Sequence, residues 1–294
     1  MITTLKNELL TVRISSHGAE LQNILDNRTG HEYLWQGDDA FWGRRSPVLF
    51  PIVGAVWQGR YRMDGQIYEM GQHGFARDME FVPMDSPEDD EAWFALDWTE
   101  ETLARYPRKF RLEIGYALRS ERLTVMWRVR NLDTREMPFQ IGAHPAFNYP
   151  DFHASDAVHA YFTFGAQGPL YAEVIKEKGC VGDEISEIVL DPERRLPVTA
   201  GTFSRDALIF AGQQVRRVSM LTKEGQPYLT VFSDAPLTGL WSKSADAPFV
   251  CIEPWWGRTD HVDYEGEFHG RRHIRTLAPG ATFEASYLII LDGI

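Results

Sequence analysis

Three segments far apart in the chain join ionisable side chains to glycine, proline and aromatic residues in ways that packing alone does not require. In Gly71-Gln72-His73-Gly74-Phe75-Ala76-Arg77-Asp78 an imidazole sits between glycines, so the backbone bends freely and the ring meets little crowding. In Gly142-Ala143-His144-Pro145-Ala146-Phe147-Asn148 a proline biases His144 towards an extended backbone at the end of a strand-like run. In Phe249-Val250-Cys251-Ile252-Glu253-Pro254-Trp255-Trp256 an apolar run ends in a carboxylate. A carboxylate that leaves water must be paired, hydrogen-bonded or poised for proton work. Plainer readings stand beside each: a histidine that caps a turn, a glutamate exposed at a strand end, a tryptophan pair that is simply core.

Two imidazoles and one carboxylate, with no cysteine cluster, phosphate loop or serine nucleophile elbow, point to proton transfer. Ordinary values of about 4.3 for Glu and about 6.5 for His would leave the carboxylate ionised and an appreciable fraction of imidazole protonated near neutrality. Nine Trp, eleven Tyr and seventeen Phe make 13% of the residues. That is more than a core requires, although sheets also favour aromatics. Flat aromatic walls with a few polar groups suit the C–H faces and hydroxyl rims of sugars. Trp35, Trp42, Trp57, Trp241, Trp255 and Trp256 are candidate walls. His261, His269 and His273 lie near one another in sequence, but no helix signal or matched carboxylate accompanies them, so they read as solvated loop residues rather than metal ligands.

Strands must position these groups. Short alternating or β-branched runs cover 10–15, 20–25, 61–63, 67–69, 93–98, 110–118, 122–130, 139–143, 215–221, 228–233, 249–252 and 282–290. Arg119-Ser120-Glu121 joins two of them as a hairpin, and Asp64-Gly65 makes a second. Helical signals are confined to 38–42 and 100–106, which excludes a parallel sheet with crossover helices. The expectation is an all-β chain, a large antiparallel β-sandwich. Nothing resembling a linker appears, and the acidic stretch 87–91 is too short to be one, so residues 1–294 read as a single domain.

The charge balance, 30 Lys+Arg against 42 Asp+Glu for a net −12, argues against nucleic acid and anionic membrane as partners. Two cysteines, Cys180 and Cys251, are too few for a disulfide scaffold and suit a reducing compartment. The amino-terminal residues lack a signal-peptide core, and no run approaches the ~20 apolar residues of a membrane span. A cytoplasmic location is expected.

The sequence resembles the aldose 1-epimerase (galactose mutarotase-like) family over nearly its whole length. Ser16-His17-Gly18-Ala19-Glu20-Leu21 is similar to that family's Y-G-A-x-[IL] turn, and His73-Gly74 to its first-histidine H-G. His144-Pro145-Ala146-Phe147-Asn148 is similar to H-x-Y-F-N-L, Asp206-Ala207-Leu208-Ile209-Phe210 to the segment of a substrate-binding Asp, and Glu253-Pro254 to the catalytic E-P. The family's G-R-x-x-[GN]-R stretch has no counterpart in Val53-Gly54-Ala55-Val56-Trp57-Gln58, and Arg45 and Arg77 resemble the anchors of a shorter, divergent bacterial branch. The resemblance implies a galactose mutarotase-like supersandwich whose concave sheet holds the sugar, with no metal or organic cofactor. It implies Glu253 as general base and His144 as general acid, with His73 assisting at the ring oxygen. Substrate contacts would come from Arg45, Arg77, Asp206, Trp241 and Trp255. The ligand is then a sugar or a sugar phosphate, since Arg44, Arg45 and Arg77 suit a phosphate as well as hydroxyls. A noncatalytic carbohydrate-binding module and, with Asp206 as a second carboxylate, a glycoside hydrolase are the other readings.

Overall fold

A computed structural model describes residues 1–86 and 88–293. Pro87, the first residue of the acidic stretch, lies outside the described residues, as does Ile294. Two large sheets dominate. The first has nine strands and is centred on Thr282–Leu291, Arg122–Asn131 and Phe110–Arg119. The second has eight and is centred on Leu237–Trp241 and Phe249–Trp256. The ladders between these strands are antiparallel.

Alternation explains the first sheet. Phe110, Leu112, Ile114, Tyr116 and Leu118 are buried, while Arg111 and Glu113 on the other face pair with each other at 2.8 Å. A period of two places these large apolar side chains on the face that meets the second sheet. There Trp127 meets Trp256 edge to face, with ring centroids 5.5 Å apart. The expected hairpin is present with a tighter turn: Arg119 faces Arg122, leaving Ser120-Glu121 as the two-residue connection, with Ser120 at φ 55°. Asp64 and Gly65, at φ 53° and 75°, make the second hairpin as expected.

Two expectations change. Residues 139–143 are not one strand. Met137–Phe139 pairs with Arg275–Leu277, Ile141–Ala143 pairs with the strand that carries Glu253, and Gln140 breaks the run between them. The Gln140 side chain explains the break: it is fully buried, accepts from the Val53 amide at 3.0 Å and donates to the Arg258 carbonyl at 3.1 Å. Residues 38–42 form a single turn closed by hydrogen bonds to the Asp38 carbonyl instead of a helix. The other helical signal is real, as Glu100–Arg105, and Thr99 with Thr102 makes a reciprocal cap. No helix is long and apolar enough to cross a membrane among the described residues.

The strand Phe249–Trp256 is buried along its whole length, which is why it reads as an apolar run. Val250, Ile252 and Trp256 enter the core between the sheets. Phe249, Cys251, Glu253 and Trp255 point to the opposite face, where the segment carrying Trp35, Phe41 and Trp42 covers Phe249 and Cys251. The candidate site lies on this second face.

Candidate active site

Sheet pairing brings His144 to Glu253. Ile141–Ala143 runs beside Trp255 and Trp256, and Ala146–Asn148 rejoins the same strand beside Phe249 and Cys251. Between them His144-Pro145 leaves the ladder, and the Pro145 carbonyl accepts from Ile252 at 3.2 Å. The His144 ring thereby comes level with Glu253, its Nε2 3.4 Å from Oε2. That oxygen also accepts from the Trp255 indole at 3.2 Å.

His73 comes from the loop between glycines, at φ 66°. Its amide donates to the Gly54 carbonyl at 2.7 Å and its Nδ1 accepts from the Gly54 amide at 3.1 Å. Because Nδ1 accepts, a neutral ring carries its proton on Nε2. Its centroid stands 5.4 Å from that of His144, with perpendicular planes. The turn at 38–42 lays Trp42 over His144 at 4.8 Å, and Trp241 meets the same imidazole edge-on at 5.4 Å.

These groups line a cavity of about 370 Å³, together with Arg44, Arg77, Asp206 and Lys243. That volume is within the usual range of small-molecule sites, ~300–1,000 Å³. Past Asp206, Trp241 and Lys243 it continues into a polar groove of about 890 Å³. The structure thus gathers His73, His144, Glu253, Arg77, Asp206, Trp241 and Trp255 around one hollow.

Arg45 is the exception and a correction. Its guanidinium turns away from the cavity to the carbonyls of Gln36 and Gln22, both at 3.1 Å. Arg44 lines the cavity in its place and holds Asp78 at 2.8 Å. Arg44 and Arg45 lie in an irregular bend where no period assigns side chains to a face, so the sequence cannot say which of the two faces inward. Glu20, in the turn near the amino terminus, fixes the choice by accepting from the amides of Arg45 and Ser46 at 3.0 and 2.9 Å. The tryptophans also separate. Trp42, Trp241 and Trp255 form cavity wall, Trp35 stacks behind on Phe249, Trp256 is sheet core, and Trp57 packs with Cys180 and Val262. His261 sits against Asp183 at 3.1 Å, and among the described residues no three-ligand cluster includes it, His269 or His273. Reasoning from sequence missed Lys243, which nothing in its exposed loop marks out, and Cys251, whose place on the face of Glu253 follows from their two-residue spacing.

Trp255 owes its position to two glycines. A Cβ on Gly239 would meet its Cζ2 at 2.7 Å, and one on Gly142 its Cδ1 at 2.8 Å, so the indole lies flat across both strands. Gly239→Ala is therefore expected to lift the indole off Glu253. The overpacking should cost ~1–3 kcal/mol in chemical denaturation.

Burial sets the charges, and it overturns the expectation of an ionised glutamate beside a partly protonated histidine. Desolvation pushes the Glu253 carboxyl well above the usual range, with the Trp255 indole opposing and Asp206 adding to the rise. Desolvation pulls His144 down to about 3. His73 is also held well below its usual value, first by burial and then by His144, Arg77 and Arg44. Burial, helped by Arg44, lowers Arg77 to about 10. Both shifts act in one direction, disfavouring the charged form of each partner.

A pH dependence follows for His144. Its folded value is depressed, so its contribution to stability is complete above about 6.5 and is lost as the pH falls towards about 3. Unfolding free energies from urea titrations across that window should fall less steeply for His144→Asn than for the unmodified protein, by on the order of 1–3 kcal/mol. Parallel slopes would refute burial as the cause.

The fold and the site together define a galactose mutarotase-like sandwich with a buried carboxyl–imidazole pair in its cavity. The aldose 1-epimerase family profile matches residues 1–274, and the chain belongs to that family. A galactose mutarotase related enzyme from Lactobacillus acidophilus superposes with a TM-score of 0.92 at 32% identity, over 100% of this chain and 98% of that one. A galactose mutarotase-like protein from Lactobacillus casei ATCC 334 gives 0.93 at 29%, over 99% and 100%. The chromosomal protein LacX of Lactococcus lactis subsp. lactis is 30% identical over 300 residues, 99% of each chain.

Proposed function

We propose that the protein is an aldose 1-epimerase that interconverts the α and β anomers of an aldohexose. One observation carries this reading: a buried carboxyl and a buried imidazole stand 3.4 Å apart at the wall of a cavity of about 370 Å³. Anomer exchange needs a proton removed from O1 and another delivered to the ring oxygen. With a proton on His144 Nε2, the imidazolium protonates the ring oxygen while the Glu253 carboxylate takes the O1 proton. The C1–O5 bond breaks, C1=O1 forms, and the pair is left as neutral imidazole and carboxylic acid. Rotation about C1–C2 presents the other carbonyl face, and the two transfers run in reverse. No net proton is consumed. The neutral state favoured by burial is the one the pair holds while the ring is open, so the dry site favours the intermediate relative to the closed sugar.

His73, with its proton on Nε2, donates to the ring oxygen without changing charge, and Trp255 and Trp241 supply apolar faces. Asp206, Arg77 and Arg44, which takes the place expected of Arg45, hold hydroxyls. The test is anomer interconversion by NMR line exchange across a panel of aldoses and their 6-phosphates. Enhanced exchange of a free hexose is the expected result. Binding without exchange of any sugar would make the protein a noncatalytic carbohydrate-binding module.

A second reading, hexose-6-phosphate 1-epimerase, is favoured by the cations. Arg44, Arg77 and Lys243 line the same cavity, and Arg77 Nε is buried with no hydrogen-bond partner among the described residues. Asp78 offsets part of that charge by holding Arg44. A clear preference for 6-phosphates in the same panel would select this reading.

A further inference from the structure

The mechanism leaves one group beside the acid–base pair unused. Cys251 lies two residues before Glu253, so their side chains share the cavity face of the strand, and the thiol is fully buried. One ligand atom from each of His144, Cys251 and Glu253 lies within 4.8 Å of the others. The His144 ring, whose side chain is only 9% exposed, has a buried Nδ1 with no hydrogen-bond partner among the described residues. Imidazole, thiol and carboxyl thus converge, and among the described residues the 3.4 Å His144–Glu253 contact is the one polar link between them.

The geometry points to a second use of this centre: His144, Cys251 and Glu253 bind a thiophilic divalent cation of the Zn²⁺ class, which inhibits the site reversibly. Bond lengths of ~2.0–2.3 Å place the ligand atoms of a tetrahedral zinc ion roughly 3.3–3.8 Å from one another. Closing from the present spacing needs shifts of about an ångström, within reach of side-chain rotation. His144 and Glu253 also line the cavity, so an ion held by them is reached from it. The soft sulfur and the nitrogen select against Mg²⁺ and Ca²⁺, which require oxygen ligands. Binding balances as one dication taken up and the thiol proton released, the sulfur ligating as thiolate. It removes both catalytic groups, so metal and sugar exclude each other. The inhibitory role rests on the reading of Glu253 and His144 as the acid–base pair; the metal site itself does not.

The test uses the full chain, freed of metal by chelation and titrated with Co²⁺ and then Zn²⁺. Co²⁺ should give a thiolate charge-transfer band in the near ultraviolet that Zn²⁺ abolishes, with release of the thiol proton on binding. Cys251→Ser should lose the band and bind Zn²⁺ at least ~10-fold more weakly, while Cys180→Ser behaves like the unmodified protein. In chelated buffer Cys251→Ser should keep its anomerisation rate within about twofold, since the thiol moves no proton in the reaction. Absence of the band in the unmodified protein, or a Zn²⁺ affinity indifferent to Cys251→Ser, overturns the site, and the proton count still tests it if that variant does not fold. A band without any anomerase activity to inhibit would leave the metal site standing and remove the proposed function.

Discussion

Glu253→Gln is expected to abolish anomerisation while sparing the fold and the binding of sugar. Glutamine keeps the volume, and its carbonyl oxygen still accepts from the Trp255 indole, which now lies 3.2 Å from the carboxyl. What disappears is basicity, and a single acid or base contributes roughly 10²–10⁴-fold to turnover. Stability should move the other way. The folded value of Glu253 is raised, so its favourable contribution is complete below about 4.5 and is lost as the pH rises. At neutral pH a buried acid therefore costs folding energy, and a neutral amide removes that cost. Equal or higher thermal stability with turnover at the uncatalysed rate is the signature to look for. Full activity by polarimetry would end the assignment of Glu253 as base, and a collapse in stability would show that the carboxyl serves the fold instead.

The same residues show how far sequence reaches. The first sheet was legible because its strands have one dry face and one wet face, as in Phe110–Arg119, where period two is visible directly. The strand of Glu253 is dry on both faces, so its sidedness was hidden, and Trp255 and Trp256 looked equivalent although one lines the cavity and the other the core. Three site segments were found because His73 and His144 sit where a glycine or proline breaks regular structure and Glu253 is a carboxylate in an apolar run, although the strand continues past it through Pro254 to Trp256. Arg44 was not distinguished from Arg45, because a one-residue choice of side depends on a distant partner, Glu20, that local pattern does not reveal. The break at Gln140 escaped for the same reason: its amide answers Val53 and Arg258, residues remote in the chain. Protonation was the least legible of all. Reference values gave an ion pair, while burial of both partners favours the neutral one.

His144→Asn and His73→Asn should separate the two imidazoles. His144 stands 3.4 Å from Glu253 and is sandwiched by Trp42 and Trp241, so it can receive the pair's proton and return it without moving. Asparagine in its place donates a hydrogen bond but cannot carry a proton to the ring oxygen, and a loss of roughly 10²–10⁴-fold in kcat is expected. His73 has no carboxyl at hand, and its Nδ1 is committed to the Gly54 amide. It polarises the ring oxygen by donating from Nε2, which the side-chain amide of asparagine partly reproduces. The loss for His73→Asn should therefore be smaller, on the order of the ~1–3 kcal/mol carried by one hydrogen bond to developing charge. The pH–rate profiles sharpen the contrast. Removing His144 should abolish the limb that reports the transferred proton, whereas removing His73 should lower the whole profile and preserve its shape. If the larger loss and the changed profile belong to His73→Asn, the proton reaches the sugar from the glycine-flanked loop, and the role of His144 contracts to orienting the carboxyl.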